Sequence, residues 1–312
     1  MTDMPNDEFR PAYYQLFVTG ELEERVRAAY HKLKSCDLCA RYCHVDRTQT
    51  IEGAVCRTGE EVVVHSFGPH HGEEKPLSGW RGSGTIFFSW CNLRCVYCQN
   101  WEISHKGTGH EVTPEEIAGM MLDLQDQGCH NINFVSPSHA VAQIISGVYC
   151  AVQRGLRLPL VYNSGGYDSL EALQLLDGII DIYMPDMKYG DSLLGRQYSK
   201  VSDYTEVNQK AVQEMHRQVG DLVIDGSGLA KRGLLIRHLV LPEGQAGTEQ
   251  VLAFIGRELS RDTYVNIMDQ YYPCYRADEY PPLDRRLRHE DFVRALEVAR
   301  KCRLHRLVRS NH

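Results

Sequence analysis

The sequence CNLRCVYC at residues 91–98 contains three cysteines with a spacing that suits metal binding. Cys91, Cys95 and Cys98 come immediately after a predicted strand. A 4Fe-4S cubane usually has four thiolate ligands, so three cysteines would leave one iron open to another ligand. The alternatives are three reduced thiols in a loop or half of a zinc site, but exposed loop thiols without a ligand are prone to oxidation. We therefore predict that this loop holds a 4Fe-4S cluster with one open iron.

A second group of cysteines lies upstream, with the spacing Cys36-x2-Cys39-x3-Cys43-x12-Cys56. Four ligands are enough for a tetrahedral zinc or for a closed 4Fe-4S cluster, and the spacing does not separate the two. His44 is an additional possible ligand. Because the segment is too polar to fold without a stabilising group, we predict a structural zinc or an auxiliary 4Fe-4S cluster here and not free thiols.

The composition is that of a globular protein. The chain has 312 residues, 43% of them hydrophobic and 24% charged, and a formal net charge of -7. This acidic charge argues against a nucleic-acid partner. The N-terminus lacks the basic flank and apolar core of a signal peptide, and no eighteen apolar residues run together, so we expect a cytoplasmic protein without a membrane segment. The cytosol keeps thiols reduced, which favours metal binding over disulfides for the eleven cysteines.

A change of pattern near residue 80 divides the chain. Before it lie a predicted helix at residues 21–33, the cysteine-rich segment, and a connector rich in glycine, histidine and proline. After it, β-branched or aromatic runs alternate with amphipathic helical windows. We therefore predict a helical and cysteine-rich metal-binding extension at residues 1–80 and a second domain at residues 81–312.

The alternation in the second domain is typical of βα units around a parallel sheet. Thr113, Pro114 and Glu116 form the start signal of one helix, with a capping box and a proline in the first turn. Other helices are predicted at residues 140–153, 169–176, 204–219, 248–259 and 289–301. Strands are predicted at residues 85–90, 131–135, 159–163, 179–184, 234–241 and 263–268. Six strands predict an α/β fold built as a partial (βα)6 barrel with a C-terminal helix, whose ligands bind at the carboxyl ends of the strands.

The cluster loop and the βα run that follows it, residues 85–268, resemble the radical S-adenosylmethionine (SAM) superfamily. The stretch KPLSGWRGSGTIFFSWCNLRCVYCQNWEIS is particularly similar to the pyruvate formate-lyase activating enzyme homologues. This resemblance implies the partial barrel, SAM as cosubstrate, and a flavodoxin- or ferredoxin-type electron donor. In such enzymes SAM occupies the open iron, and an electron from the cluster releases a 5'-deoxyadenosyl radical. Tyr97, just before the last cysteine, belongs to the same motif.

The resemblance also predicts which loops bind SAM. Many relatives have Gly-Gly-Glu after the second strand to take the amino group of SAM, whereas this chain has Ser136-Pro137-Ser138-His139. The hydroxyls of Ser136 and Ser138 could accept the ammonium instead, or the segment could be only a proline turn that caps a helix.

The third strand leads into Asn163, Ser164 and Gly165, followed by Gly166. The glycines permit a close approach of the backbone, and the two polar side chains could bind the ribose or the carboxylate of SAM. A pair of glycines that only turns the chain is the alternative.

The fourth strand leads into Asp186 and Lys188, which resemble the Asp-x-Lys motif of glycyl-radical activating enzymes. They should point the same way in an extended segment, either into the site or as a salt bridge at its rim. Arg237 in the fifth strand needs an anionic partner, for which the SAM carboxylate is the candidate, and His238 should then face a helix. Gln270, after the sixth strand, could reach adenine or substrate.

Three functions compete. The leading hypothesis is a radical SAM oxidoreductase that abstracts a hydrogen atom from a protein, as glycyl-radical activating enzymes do, through the lateral opening of an incomplete barrel. The second is radical modification of a small metabolite such as a sugar or nucleoside. The third is a non-enzymatic, zinc-binding interaction module in which both sets of cysteines are structural.

Overall fold

A single ten-stranded sheet organises the chain, which a computed structural model describes over residues 9–309. The strands are β1 (Val62–His70), β2 (Ser83–Phe88), β3 (His110–Val112), β4 (Ile132–Val135), β5 (Leu160–Ser164), β6 (Ile182–Pro185), β7 (Val223–Ile224), β8 (Ala230–Leu239), β9 (Tyr264–Met268) and β10 (Arg306–Arg309). The six predicted strands correspond to β2, β4, β5, β6, β8 and β9.

These six strands form a continuous parallel array in the order β2, β4, β5, β6, β8, β9. Strand β10 continues it beyond β9, also parallel, and β7 pairs with the start of β8. At the opposite edge β1 runs antiparallel to β2, and β3 runs antiparallel to β1. Within the described residues the two edges do not pair with each other, so the predicted partial barrel is confirmed.

The helices are α1 (Ala12–Thr19), α2 (Glu21–Lys32), α3 (Lys75–Ser78), α4 (Trp101–Lys106), α5 (Pro114–Asp126), α6 (Val141–Gln153), α7 (Leu170–Leu176), α8 (Ser192–Ser199), α9 (Tyr204–Val219), α10 (Thr248–Phe254) and α11 (His289–Lys301). The predicted capping box is present: Thr113 and Glu116 bond to each other's backbone N–H groups at the start of α5. Helix α10 is shorter than predicted, because residues 255–259 form a π-helical turn. Within residues 9–309 no helix is long and apolar enough to span a membrane.

The alternation of side chains along the strands separates two apolar layers. On β4, Ile132 and Phe134 face the surrounding helices, whereas Val135 faces the barrel interior. A smaller apolar cluster fills the interior at the amino ends of the strands; it contains Leu77, Val161, Ile182, Met184, Leu222, Ala230 and Leu235. The barrel is therefore closed by side chains at that end, and its cavity opens toward the carboxyl ends.

The N-terminal extension packs directly on the barrel. Helix α2 contacts α6 and α7, and β1 joins the main sheet beside β2. The division of the chain into domains at residue 80 stays a prediction.

Candidate functional site

The three cysteines of the loop after β2 lie together on the wall of one cavity. Cys91, Cys95 and Cys98 all line this cavity, which has a volume of about 400 Å³. It lies at the carboxyl ends of the parallel strands, where ligands of βα folds gather. Within the described residues it is lined by these three cysteines and by no fourth.

The end of α8 holds the cysteine loop in place. The N–H of Arg94 donates to the carbonyl of Ser199 (3.1 Å), and the N–H of Val96 donates to the carbonyl of Tyr198 (2.8 Å). The hydroxyl of Ser199 also lies 2.9 Å from Sγ of Cys95. The loop is thus fixed by backbone bonds on both sides of its central thiol.

The other two thiols also have polar partners. Sγ of Cys98 lies 3.1 Å from the hydroxyl of Ser104, and Sγ of Cys91 accepts the N–H of Leu93 at 3.4 Å. Burial raises the pKa of Cys91 to about 11 and the pKa of Cys98 to about 12. Because these thiols resist ionisation at neutral pH without a metal, cluster binding must displace their protons.

Besides Cys91, twelve residues are predicted either to hold the cluster of this loop or to bind SAM, and eleven of them line the cavity. Those that line it are Cys95, Tyr97, Cys98, Ser136, Asn163, Ser164, Gly165, Asp186, Lys188, Arg237 and Gln270. The exception is Ser138, which is buried next to Asp168 and helps to lower the pKa of that carboxyl, although burial raises it overall. Its hydroxyl is therefore engaged behind the cavity wall, because the short helix Pro137–His139 turns it away from Ser136.

Asp186 is the centre of an ion-pair network on the cavity wall. Its Oδ2 lies 2.6 Å from Nζ of Lys188, and its Oδ1 accepts Nε–H of Arg237 at 3.0 Å. The three side chains are between 15% and 20% exposed, so the pairs are not a solvated rim bridge. Burial alone would raise the pKa of Asp186, but Arg237 and Lys188 hold it below its usual range. Arg237 also donates to Oδ1 of Asn163 at 2.7 Å, which links β8 to β5.

The Gly-Gly segment after β5 turns sharply at Gly166, whose φ is 71°. A Cβ there would lie 2.2 Å from the carbonyl oxygen of Asp186 and equally close to the amide nitrogen of Asn208, so a side chain would not fit. The hydroxyl of Ser164 donates to buried Asp168 at 2.7 Å. Asn163 is therefore the more available of the two polar side chains that were predicted to bind SAM.

Two further expectations concern residues on β8 and beyond β9. His238 faces away from the cavity, as predicted, with ring nitrogens 2.7 Å from the carbonyl of Met187 and 2.9 Å from the hydroxyl of Thr248 at the start of α10. Gln270 lines the cavity and is exposed, whereas the hydroxyl of Tyr271 donates to the carbonyl of Leu283 at 2.5 Å.

Tyr97 connects the cavity to the cysteine loop. Its hydroxyl lies 2.8 Å from that of Tyr189, which lies 2.7 Å from the hydroxyl of Ser199. Since Ser199 contacts Cys95, these hydroxyls form a buried chain that ends at a predicted cluster ligand. Such hydrogen bonds to ligand sulfurs tune the properties of a cluster.

Sequence reasoning missed one acidic residue of the cavity. Glu73 lies in the connector between β1 and α3, lines the cavity, and approaches Arg237 to 3.9 Å. The available signal is the pair of adjacent glutamates, Glu73 and Glu74, in the connector rich in glycine, histidine and proline. Nothing in the local pattern indicates that this connector enters the barrel.

The N-terminal cysteines surround a buried arginine. Arg47 is 2% exposed, and it donates to Sγ of Cys36 at 3.5 Å and to the carbonyls of Thr58 (2.7 Å), Gly59 (3.1 Å) and His139 (2.9 Å). It forms no ion pair with a carboxylate within the described residues. A buried guanidinium is stabilised by a compensating negative charge, which metal-bound thiolates at these cysteines would supply.

The N-terminal cysteine thiols nevertheless do not converge on a position where one metal ion could bind. Across residues 9–309 no three histidine, cysteine or acidic side chains converge where one metal ion could bind. The cysteine ligands of a 4Fe-4S cubane lie on separate irons and need not converge in this way. The arrangement is therefore compatible with a cluster at either set of cysteines.

Replacing Asp186 with asparagine is expected to weaken SAM binding by at least about tenfold, equivalent to about 1.4 kcal/mol, while the cluster still assembles. The change leaves two buried cations without their shared carboxylate, but it does not touch the cysteine loop. Calorimetric titration of SAM into the reconstituted protein measures the affinity, and iron content measures the cluster. Asp262→Asn, which alters an exposed pair with His305, is the control. Loss of iron with unchanged SAM affinity in the remaining holoprotein would place Asp186 outside the SAM site.

Comparison with known proteins gives a consistent family assignment. Residues 85–224 match the family model of the Radical SAM superfamily. The uncharacterized protein MJ0674 of Methanocaldococcus jannaschii is 33% identical over 291 residues, covering 91% of this chain and 79% of that protein. The uncharacterized protein MJ0808 of the same organism is 24% identical over 286 residues, covering 85% of this chain and 76% of that protein.

Three solved structures are loosely similar. HydG, a maturase of the [FeFe]-hydrogenase, has a TM-score of 0.48 at 13% identity and covers 73% of this chain and 51% of its own. A radical SAM methyltransferase from Sphaerobacter thermophilus has a TM-score of 0.46 at 13% identity, with coverages of 73% and 67%. A domain of pyruvate-formate lyase-activating enzyme from Bacteroides vulgatus has a TM-score of 0.38 at 12% identity, with coverages of 64% and 91%.

Proposed function

Because this chain belongs to the radical SAM superfamily, we propose that Cys91, Cys95 and Cys98 hold a 4Fe-4S cluster and that the adjoining cavity binds SAM. The observation that carries the proposal is the presence of three cysteines, without a fourth among the described residues, on the wall of one cavity. Three thiolates leave one iron free for SAM. When both are bound, an electron from the cluster breaks a carbon-sulfur bond of SAM and yields a 5'-deoxyadenosyl radical.

Family membership makes the chain an enzyme and removes the interaction-module alternative. Its own residues hold and shape the site: the cavity wall carries buried cations that suit the carboxylate of SAM. Arg237 and Lys188 are both held there by Asp186. We assign the nucleoside of SAM to the part of the cavity lined by Asn163 and Gly165. Radical SAM enzymes typically receive their electron from a flavodoxin- or ferredoxin-type donor, and we propose such a donor here.

The substrate is either a protein segment or a small metabolite. An activating enzyme of the glycyl-radical type abstracts a hydrogen atom from an uncharged glycine residue in a protein backbone. In this chain Asp186, Lys188 and Arg237 form the network assigned above to SAM, which leaves the carboxylate of Glu73 on the cavity wall for the substrate. Buried charges are best matched by a ligand that pairs with them. This observation favours a small metabolite with a charged group as the substrate, and a protein segment is the second candidate.

We also propose that Cys36, Cys39, Cys43 and Cys56 bind a metal. An auxiliary 4Fe-4S cluster is the first candidate, because these donors do not converge around one metal ion, and a zinc ion is the second. The support is the buried guanidinium of Arg47 against Cys36. A hydrogen bond with the Cys43 thiol and the nearby Arg47 lower the pKa of Cys36 against the effect of burial, so this thiol gives up its proton readily.

The reaction is tested by following deuterium into 5'-deoxyadenosine. Reconstituted enzyme, SAM and a reductant are incubated with the small-molecule or the macromolecular fraction of a deuterium-labelled cell extract. We expect a gain of one mass unit in 5'-deoxyadenosine with the small-molecule fraction, because the radical abstracts a substrate hydrogen. Cys95→Ala is the blank. Deuterium arriving only from the macromolecular fraction would establish the protein alternative, and cleavage of SAM without transfer from either fraction would contradict hydrogen abstraction.

A further inference from the structure

The connector before α3 delivers a buried carboxylate to the cavity from outside the six βα units. The side chain of Glu73 is only 9% exposed, although the connector is rich in glycine and histidine. Its nearest ion-pair contact is the 3.9 Å approach to Nη1 of Arg237. That distance is longer than the 3.0 Å contact of Arg237 with Asp186. Glu73 is therefore a buried acid whose cationic neighbour is already committed to another carboxylate.

The positions of Glu74 and α3 indicate that the carboxylate of Glu73 lies at the inner end of the cavity, which is the end next to the apolar cluster at the amino ends of the strands. Oε1 of Glu74 accepts the amide N–H of Asn266 on β9 at 2.8 Å. Leu77, one turn later, belongs to the apolar cluster that closes the barrel at the amino ends of the strands. The two glutamates thus lie between the apolar closure and the open part of the cavity.

The charges at this inner end do not balance. Three carboxylates, those of Glu73, Glu74 and Asp186, stand against the two cations Lys188 and Arg237. His105, which also lines the cavity, has its pKa lowered to about 4 by burial and the nearby Arg94, so it adds no charge at neutral pH. When all three carboxylates are ionised, one negative charge is left without a partner among these buried groups.

Two polar groups beside Glu73 are also unsatisfied. Asn133 is fully buried on β4, on the same face as the cavity-lining Val135, and comes close enough to Glu73 to help lower the pKa of that acid. Neither polar atom of its amide completes a hydrogen bond within the described residues, and Oε2 of Glu74 is likewise buried without a partner. Buried polar atoms are rarely left unpaired, so a ligand, an ion or an ordered water is expected to complete this site.

We infer that Glu73 binds a cationic nitrogen group of the substrate, such as an ammonium, at the inner end of the cavity. This inference rests on the proposed function and narrows its substrate to a compound with a positively charged amine. A cation there neutralises the surplus carboxylate and donates hydrogen bonds to it, which is a strong pairing in a buried site. The amide oxygen of Asn133 is a second acceptor for the same group.

The ionisation of Glu73 should then be visible in binding. Burial raises its pKa to about 7, against the effect of Arg237, while Glu74 and Asp186 add to the rise. Only the ionised carboxylate pairs with a cation, so affinity for the cation should be greater above this pKa than below it.

The experiment measures binding of butylammonium, with butanol as its neutral isostere, to the reconstituted enzyme with SAM. We expect the wild type to bind butylammonium at least about tenfold more tightly than butanol, a preference of about 1.4 kcal/mol. Glu73→Gln should abolish this preference, and the charge-retaining Glu73→Asp should keep part of it. The preference should shrink on moving from about one pH unit above to about one unit below the pKa of about 7. Glu258→Gln, at an exposed position, is the control.

The outcomes separate this inference from the proposed function. Equal binding of the two probes by the wild type, or an unchanged preference in Glu73→Gln, would overturn the inference even if SAM is cleaved normally. A loss of SAM affinity in Glu73→Gln would also overturn it, because Glu73 would then belong to the SAM site. Absence of SAM cleavage by the wild type would defeat the proposed function while leaving the probe measurement valid.

Discussion

Replacing Cys95 with alanine is expected to abolish the production of 5'-deoxyadenosine from SAM. Cys95 is the central thiol of the loop, is 8% exposed, and contacts Ser199 at 2.9 Å. No other cysteine among the described residues lines the cavity besides its two partners, so no spare ligand can replace it. Loss of a ligand should exceed the losses of about 10-fold to 100-fold that follow changes around a metal site.

The measurement is the amount of 5'-deoxyadenosine formed under dithionite by fully reconstituted protein. Cys129→Ala is the matched control, because Cys129 is a buried thiol at the end of α5 and lies outside the cavity lining. It should retain activity. Production of 5'-deoxyadenosine by Cys95→Ala at the rate of the wild type would defeat the cluster assignment.

Changing Cys36 and Cys39 together is expected to reduce soluble yield and substrate turnover sharply, while the remaining folded protein still cleaves SAM slowly. Metal binding is worth about 10–16 kcal/mol in small zinc peptides, which is comparable to the whole stability of a domain, about 5–15 kcal/mol. Loss of the site would leave Arg47 buried without a compensating charge. It would also loosen Arg41, whose Nε donates to the carbonyl of Asn92 in the cluster loop at 2.6 Å.

Measuring the zinc and iron content of the wild-type protein distinguishes a structural zinc from an auxiliary 4Fe-4S cluster at these four cysteines. A structural zinc should give about one zinc per chain, whereas an auxiliary cluster should raise iron to about eight per chain. Cys150→Ala, at a half-buried position within α6, is the control for the double variant and should keep the metal content of the wild type. If neither metal exceeds what Cys91, Cys95 and Cys98 require, these four residues are ordinary thiols.

The parallel strands and the polar network at their carboxyl ends could be predicted because short sequence patterns indicate both. Buried parallel strands have continuous apolar runs, and the residues that follow them must meet at one edge of the sheet. This argument, together with the resemblance to the Asp-x-Lys motif of glycyl-radical activating enzymes, placed Asp186, Lys188 and Arg237 in one site. The same argument failed for Ser138, because a single-turn helix after β4 rotates alternate residues to opposite sides.

The edge strands β1 and β10 and the entry of Glu73 into the cavity could not be predicted, because they depend on tertiary contacts and not on a local pattern. Strand β1 contains Gly68 and Pro69, residues that are depleted in strands, and it forms because β2 offers an open edge. Strand β10 has only four residues. The entry of Glu73 into the barrel follows from how the chain returns from β1 to β2, which is a tertiary contact without a periodic signal.

The open iron at the Cys91, Cys95 and Cys98 cluster is tested most directly by Mössbauer spectroscopy of protein reconstituted with iron-57, recorded with and without SAM. The proposed site has three thiolate ligands for four irons, so SAM should change the spectrum of one iron per chain and leave the other irons unaltered. Cys95→Ala should show no such change. A wild-type spectrum that contains a 4Fe-4S cluster but is identical with and without SAM would contradict the assignment of this cavity as a SAM site.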